Sequence, residues 1–356
     1  MKQKRGGKPD NPANFATRYH ADRMKSLKLN TEVAITPSDW KINHRSPILT
    51  MGSCFADVLG RQLADYKFEV LNNPFGTVFN PLTISKILDS ALEGKAPASA
   101  LYHQDSDKIW LHHDFHSSQW SADRQELETA LIRQLAHVKN FLSKANVLVL
   151  TLGTAYAYRH RSANVLVGNC HKVPADRFVK ELLHPDQILI PLEQLIQKLR
   201  SFRRDLQVIV TVSPVRHTRD TLALNQVSKS TLRLVCHRLS EKFKYVGYFP
   251  SYEIMLDELR DYRFYAEDLI HPNSIAEDYI FRTFANSYID LRSREFMKEW
   301  EGVKQLMNHR PQHGFTESQF KLLHSLRANL IRMSSEIDVS AELSETERRI
   351  KEFPGL

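Results

Sequence analysis

The run NVLVLTLG at residues 146–153 is apolar at almost every position. A strand of that composition must be covered on both faces, so it belongs in the middle of a sheet with helices on either side. The chain repeats the theme. Strand-length apolar runs at 47–51, 68–71, 206–212 and 245–249 alternate with segments of helical period at 56–66, 81–93, 124–141, 191–202, 221–243 and 274–288. About five such alternations predict an α/β fold with a central parallel sheet. Residues 108–115 read as a strand in an insertion, and 155–175 as a hairpin on the end of the central strand. From about residue 294 the strands stop, and 315–352 reads as charged amphipathic helix.

Composition narrows the function classes. At 356 residues and 42% hydrophobic, the chain can bury a sizeable core. No window approaches the roughly 18 uninterrupted apolar residues of a membrane span, and the opening MKQKRGGKPD has no apolar stretch behind its basic front. Three widely spaced cysteines, Cys54, Cys170 and Cys236, form no CxxC pair. These features predict a cytoplasmic protein with no membrane partner. Of the net charge of +8, residues 1–30 carry +6, from eight basic and two acidic residues. That footprint lies on a Gly-, Pro- and Asn-containing leader and not on a folded face, so no nucleic-acid partner is expected.

Sites in parallel sheets gather beyond the carboxyl ends of the strands. Four loops there are unusual: Gly52-Ser53-Cys54, Asn73-Pro74-Phe75-Gly76, Gly153-Thr154, and Asp268-Leu269-Ile270-His271. Ser53 lies between a strand and a helix, a turn that suits a nucleophile whose attack generates an oxyanion. A serine needs a base, and an imidazole needs a third group to fix its tautomer. Asp268 and His271, three apart in one loop, supply both.

The motifs GSCFA at 52–56, NPFGTVFNP at 73–81, TLGTAYAY at 151–158, TVSPVRHT at 211–218 and the long run at 248–272 resemble the GSCFA domain family, which is similar to the SGNH (GDSL-like) hydrolases. The resemblance covers about residues 27–290. It implies a three-layer α/β/α fold and ester hydrolysis or acyl transfer without cofactor or metal. Ser53 matches the nucleophile, Asp268 and His271 the remaining triad members, and Gly76 the glycine that, with the Ser53 N–H, faces the oxyanion. The third block departs. Where SGNH enzymes carry an oxyanion Asn, this chain has Ala155, so Thr154, Asn80 or Asn73 must supply the missing donor. Losing one such donor costs on the order of 10²-fold in rate.

Other residues carry competing readings. Cys54 is the rival nucleophile, with Cys170 and His171 offering a second thiol and imidazole, but cysteines are usually buried packing residues. His112, Asp114 and His116 would share one face of a strand, yet alternating polar residues also describe a solvated strand, and no metal is assigned. His116, His171 and Arg216 are the substrate-contact candidates, and Arg216 and His217 serve equally well in holding the catalytic loop. A helical stripe of Phe320, Leu323, Leu326, Leu330 and Ile331 reads as packing. The expected organisation is a basic flexible leader over 1–26, an SGNH-like domain over 27–293 and a helical extension over 294–356. The expected function is a serine esterase for an O-acyl or O-acetyl ester of a glycan or small polar molecule. An acyltransferase of the same mechanism, or a non-catalytic ligand-binding member of the fold, is the alternative. Oligomeric state is not readable.

Overall fold

A computed structural model of the chain describes residues 31–309 and 316–353. The leader expected over 1–26 lies outside the described residues. Strands β1 (Ile48–Gly52), β2 (Val70–Asn72), β5 (Val147–Leu152), β9 (Gln207–Val212) and β10 (Val246–Tyr248) form one parallel sheet in the order β10-β9-β5-β1-β2. Strand order therefore reverses direction around β1, with β5 on one side and β2 on the other. The crevice beyond the carboxyl ends of β1 and β5 is the switch point where such sheets bind ligands.

Alternate residues of each strand enter different cores. Leu49, Met51, Leu148, Leu150, Leu152, Val208, Val210 and Val212 pack on one face with helices α2 (Pro81–Glu93), α3 (Arg124–Lys144), α4 (Pro185–Phe202) and α5 (Thr221–Lys242). Ile48, Val147, Val149 and Ile209 pack on the other with α1 (Cys54–Asp65) and α6 (Ser274–Tyr288). The result is a three-layer α/β/α arrangement, as the doubly apolar strands require. Helices α7 (Leu291–Asn308), α8 (Glu317–Met333) and α9 (Ser340–Lys351) follow and build a separate core around Trp300, Leu326 and Leu330. Trp300 Nε1 donates to Asp65 O at 2.7 Å, tying that core to the end of α1. Among the described residues no helix is long and apolar enough to cross a membrane.

Several elements differ from expectation. The strand expected over 108–115 is only β4 (Trp110–His112), paired antiparallel with β3 (Tyr102–Gln104). It stops because the Asp114 N–H donates to His112 Nδ1 at 3.1 Å, closing a turn, so His112, Asp114 and His116 do not share a strand face. The expected hairpin is β6 (Tyr156–His160) with β7 (Val165–Val167), and an unforeseen third strand, β8 (Phe178–Leu182), pairs with β6. Helix α4 starts six residues before Pro191, which lies inside it. Its start is set by Pro185 in the first turn and by a reciprocal cap between His184 and Gln187. The amphipathic stretch over 315–352 is two helices, with residues 334–339 between them.

Candidate active site

Ser53 is the N-cap of α1, and its Oγ accepts the Phe55 N–H at 3.3 Å. A serine cap satisfies a helix-end donor while holding the side chain in the turn. Gly52 makes the turn possible: its φ is +142°, and a Cβ there would stand 2.1 Å from Thr151 O. This close approach lets the Ser53 N–H donate to Thr151 O at 3.0 Å and sets Ser53 Oγ 3.1 Å from Thr151 Oγ1. Ser53 is 2% exposed and Thr151 fully buried.

The loop after β2 folds back over this turn. Asn73, in a left-handed conformation at φ +39°, accepts the Gly52 N–H on Oδ1 at 3.1 Å. Its carbonyl accepts the Gly76 N–H at 2.8 Å. Gly76 has φ +72° and packs against His116, whose Cβ a side chain at 76 would meet at 2.7 Å. The bond to Gly52 fixes the Asn73 amide, and among the described residues its Nδ2 has no hydrogen-bond partner.

Asp268 and His271 share one tight turn. His271 Nδ1 donates to Asp268 Oδ2 at 2.7 Å, while Asp268 Oδ1 accepts the N–H groups of Ile270 at 2.9 Å and His271 at 3.0 Å. The His271 N–H, the His271 ring and the Ile270 N–H together pull the Asp268 carboxyl down to about 2. With Nδ1–H held by the carboxylate, His271 Nε2 carries the lone pair. Arg216 holds this loop from the end of β9. Its N–H donates to Ile270 O at 3.1 Å, and its guanidinium stacks 3.8 Å from the centre of the Tyr265 ring.

Among the described residues no hydrogen bond joins Ser53 to His271, and the charges around them connect through the next residue, Cys54. Lys229 and Glu277 both act on Cys54, the residue after Ser53, while His271 acts on Glu277 and on His217. Burial raises the Cys54 thiol above its ordinary value despite Lys229, which is the opposite of an activated thiol. Burial also raises Cys170, to about 11.

The remaining candidates are placed as follows. Asn80 caps α2, accepting from Leu82 and Thr83, and donates from Nδ2 to Tyr156 O at 2.9 Å. The Thr154 hydroxyl meets Ser228 Oγ at 3.1 Å and accepts the Tyr156 N–H at 3.0 Å. Both residues are thus engaged within the fold. His171 is buried, donates from Nε2 to His112 O at 3.0 Å, and packs against the imidazoles of His103 and His113. Burial lowers its pKa to about 4, which leaves it neutral. Among the described residues no group of three or more His, Cys, Asp or Glu is arranged to hold a metal ion.

Thr151 and a polar patch on α5 were not singled out from sequence. Asn225 Oδ1 accepts the His217 N–H at 3.0 Å, Ser228 Oγ accepts the Ala155 N–H at 2.8 Å, and Lys229 Nζ bonds Gly153 O and Ser213 O. The readable signal was their position. At helical spacing they continue the stripe of Leu232, Val235, Cys236 and Leu239 toward the strand ends.

Comparison with known proteins gives a family. No curated protein matches the chain. Solved structures similar to it include a family 3 carbohydrate esterase from Talaromyces cellulolyticus, at 9% identity over 71% of this chain and 99% of that one, TM-score 0.33. An acetyl esterase mutant with acetate ion gives 9%, 71%, 99% and 0.35 in the same order. A family 3 carbohydrate esterase of Clostridium thermocellum gives 10%, 71%, 98% and 0.31. The GSCFA family model matches residues 47–284, and the model of the GSCFA domain protein, C-terminal domain, matches residues 300–352. The chain belongs to the GSCFA family.

Proposed function

We propose that this chain is a serine hydrolase for ester bonds, cleaving an O-acyl or O-acetyl ester of a glycan or small polar molecule through Ser53, His271 and Asp268. The observation that carries the reading is the 2.7 Å bond between His271 Nδ1 and Asp268 Oδ2, because it leaves Nε2 as the basic atom. Ser53 Oγ attacks the ester carbonyl while His271 Nε2 takes its proton. The imidazolium, balanced by Asp268, returns that proton to the leaving alcohol, and water repeats the sequence to release the acid.

In this reading the Asn73 amide takes the place of the missing third-block Asn, since Oδ1 is fixed by Gly52 and Nδ2 remains to donate. His116, packed against Gly76, contacts substrate. Arg216 positions the Asp268 loop, and His171 is a packed imidazole. Three widely spaced cysteines with no CxxC pair support a reducing cytoplasm as its location.

One observation favours the non-catalytic alternative. The N–H groups of Ser53 and Gly76 are already bonded, to Thr151 O and Asn73 O. Acid release from an aryl acetate and from O-acetylated oligosaccharides decides between them. The hydrolase reading expects turnover that Ser53→Ala abolishes and Cys54→Ala largely retains. Transfer to an added alcohol in place of water identifies an acyltransferase. Binding of the esters without turnover identifies the binding module.

A further inference from the structure

Helix α5 buries a lysine. Lys229 is fully covered, and its Nζ donates to Gly153 O and Ser213 O, each at 2.8 Å. These are the first residues beyond β5 and β9, so the ammonium lies at the carboxyl ends of two adjacent central strands. Gly153 O also accepts from His217 Nε2 at 3.1 Å. The groups facing the lysine are the Cys54 thiol from α1, the His217 ring from the loop after β9 and the Tyr252 ring from the turn after β10, 5.7 Å from Nζ to its centre. None supplies a negative charge near neutrality. Burial raises the Cys54 thiol, burial takes the Tyr252 phenol to about 12, and His217 is neutral with a pKa lowered to about 4, chiefly by burial. Among the described residues no carboxylate pairs with Lys229. A buried charge without a counter-charge is costly to folding. A lysine buried this way next to Cys54, the residue after Ser53, leaves a positive charge that an anion arriving there would balance.

We propose that Lys229 is a charge-balancing residue of the site: its buried, unpaired ammonium at the ends of β5 and β9 stabilises negative charge arising beside Ser53, in an oxyanion or a carboxylate product. It acts through space and through the loops it holds, without touching the ligand. The inference rests on the hydrolase reading for what arrives at Ser53. In a dry interior a fixed cation stabilises a nearby anion far more than in water. Burial lowers the Lys229 pKa to about 7, so the resting site loses its charge as pH rises through neutrality. An anion at Ser53 favours the protonated lysine, and by reciprocity proton uptake accompanies anion binding.

Acetate, the simplest carboxylate product, is the probe. Its binding to the full chain carrying His271→Ala, which removes the competing imidazole, is followed calorimetrically in buffers of different ionisation enthalpy. The proposal expects uptake of more than about half a proton at pH 7.5, and affinity about tenfold weaker at pH 8.5 than at 6.5. Adding Lys229→Met removes both effects. If that variant does not fold, Lys229→Arg, which keeps its proton, gives binding without uptake and without the pH slope. Acetate that does not bind, that binds without uptake, or that keeps its uptake in the variants overturns the proposal. Turnover of an aryl acetate by the unaltered protein separates the two readings. Inactivity with Lys229-dependent uptake fails the hydrolase reading alone, and activity without uptake fails this inference alone.

Discussion

Asp268 Oδ2 stands 2.7 Å from His271 Nδ1, while the other oxygen of the same carboxylate accepts the main-chain N–H groups of Ile270 and His271. The carboxylate is therefore oriented by the turn it closes, and it in turn orients the ring. Replacing it as Asp268→Asn frees the other tautomer and should lower kcat by about 10³ to 10⁴. In the proposed mechanism Asp268 acts only through His271, so Asp268→Asn/His271→Ala should be little worse than His271→Ala alone. Steady-state kinetics on the four proteins check this, and multiplying losses would give Asp268 a separate task.

Thr151 is expected to position Ser53. Its hydroxyl lies 3.1 Å from Ser53 Oγ in a fully buried place, and valine keeps the volume while removing the polar atom. Thr151→Val should lower kcat by up to about tenfold with KM nearly unchanged, the range of one hydrogen bond at about 0.5–1.5 kcal/mol. An equal rise in KM would place Thr151 in ground-state binding instead.

The asparagines on either side of the loop after β2 should separate cleanly. Asn73→Ala removes the proposed oxyanion donor and should lower kcat by about 10² to 10³. Asn80→Ala removes the cap of α2 and should lower unfolding free energy by about 1 kcal/mol while leaving kcat within a few-fold. Denaturant titration beside kinetics reads both. Thr154→Val with a kcat loss as large as that of Asn73→Ala would move the donor to Thr154.

Burying Lys229 also makes stability depend on pH. Desolvation lowers its folded pKa from 10.5 to about 7, so between those values the unfolded chain holds a proton on this group that the folded chain does not. Stability from this group therefore rises with pH across that window, by about 1.4 kcal/mol per unit at most. Urea unfolding at pH 7 and pH 9 should show the protein gaining relative to Lys229→Met. A difference that is flat or falls with pH would contradict the buried, unpaired placement.

What the sequence disclosed follows from how local each signal is. The helices expected at 81–93 and 274–288 form over those residues, and the structure shows Asn80 and Asn273 capping them, a local signal that agrees with the helical period. Pro191 misled because proline favours a first turn, while the true start uses His184, a residue not among the usual caps. Strands β3 and β8 are short and partly polar, and only their partners identify them. The Asp268–His271 pair was legible from a spacing of three within one loop. Lys229 was not, because a lysine on a helix ordinarily reads as solvated. Only the sheet order brings that side of α5 to the carbonyl ends of β5 and β9.

The central claim is that Ser53 is a nucleophile activated by His271. A fluorophosphonate probe followed by peptide mapping tests it most directly, since only an activated serine reacts at a useful rate. The account predicts one label, on Ser53, lost in Ser53→Ala, retained in Cys54→Ala and strongly slowed in His271→Ala. A folded protein that takes no label, or carries it elsewhere, would contradict it.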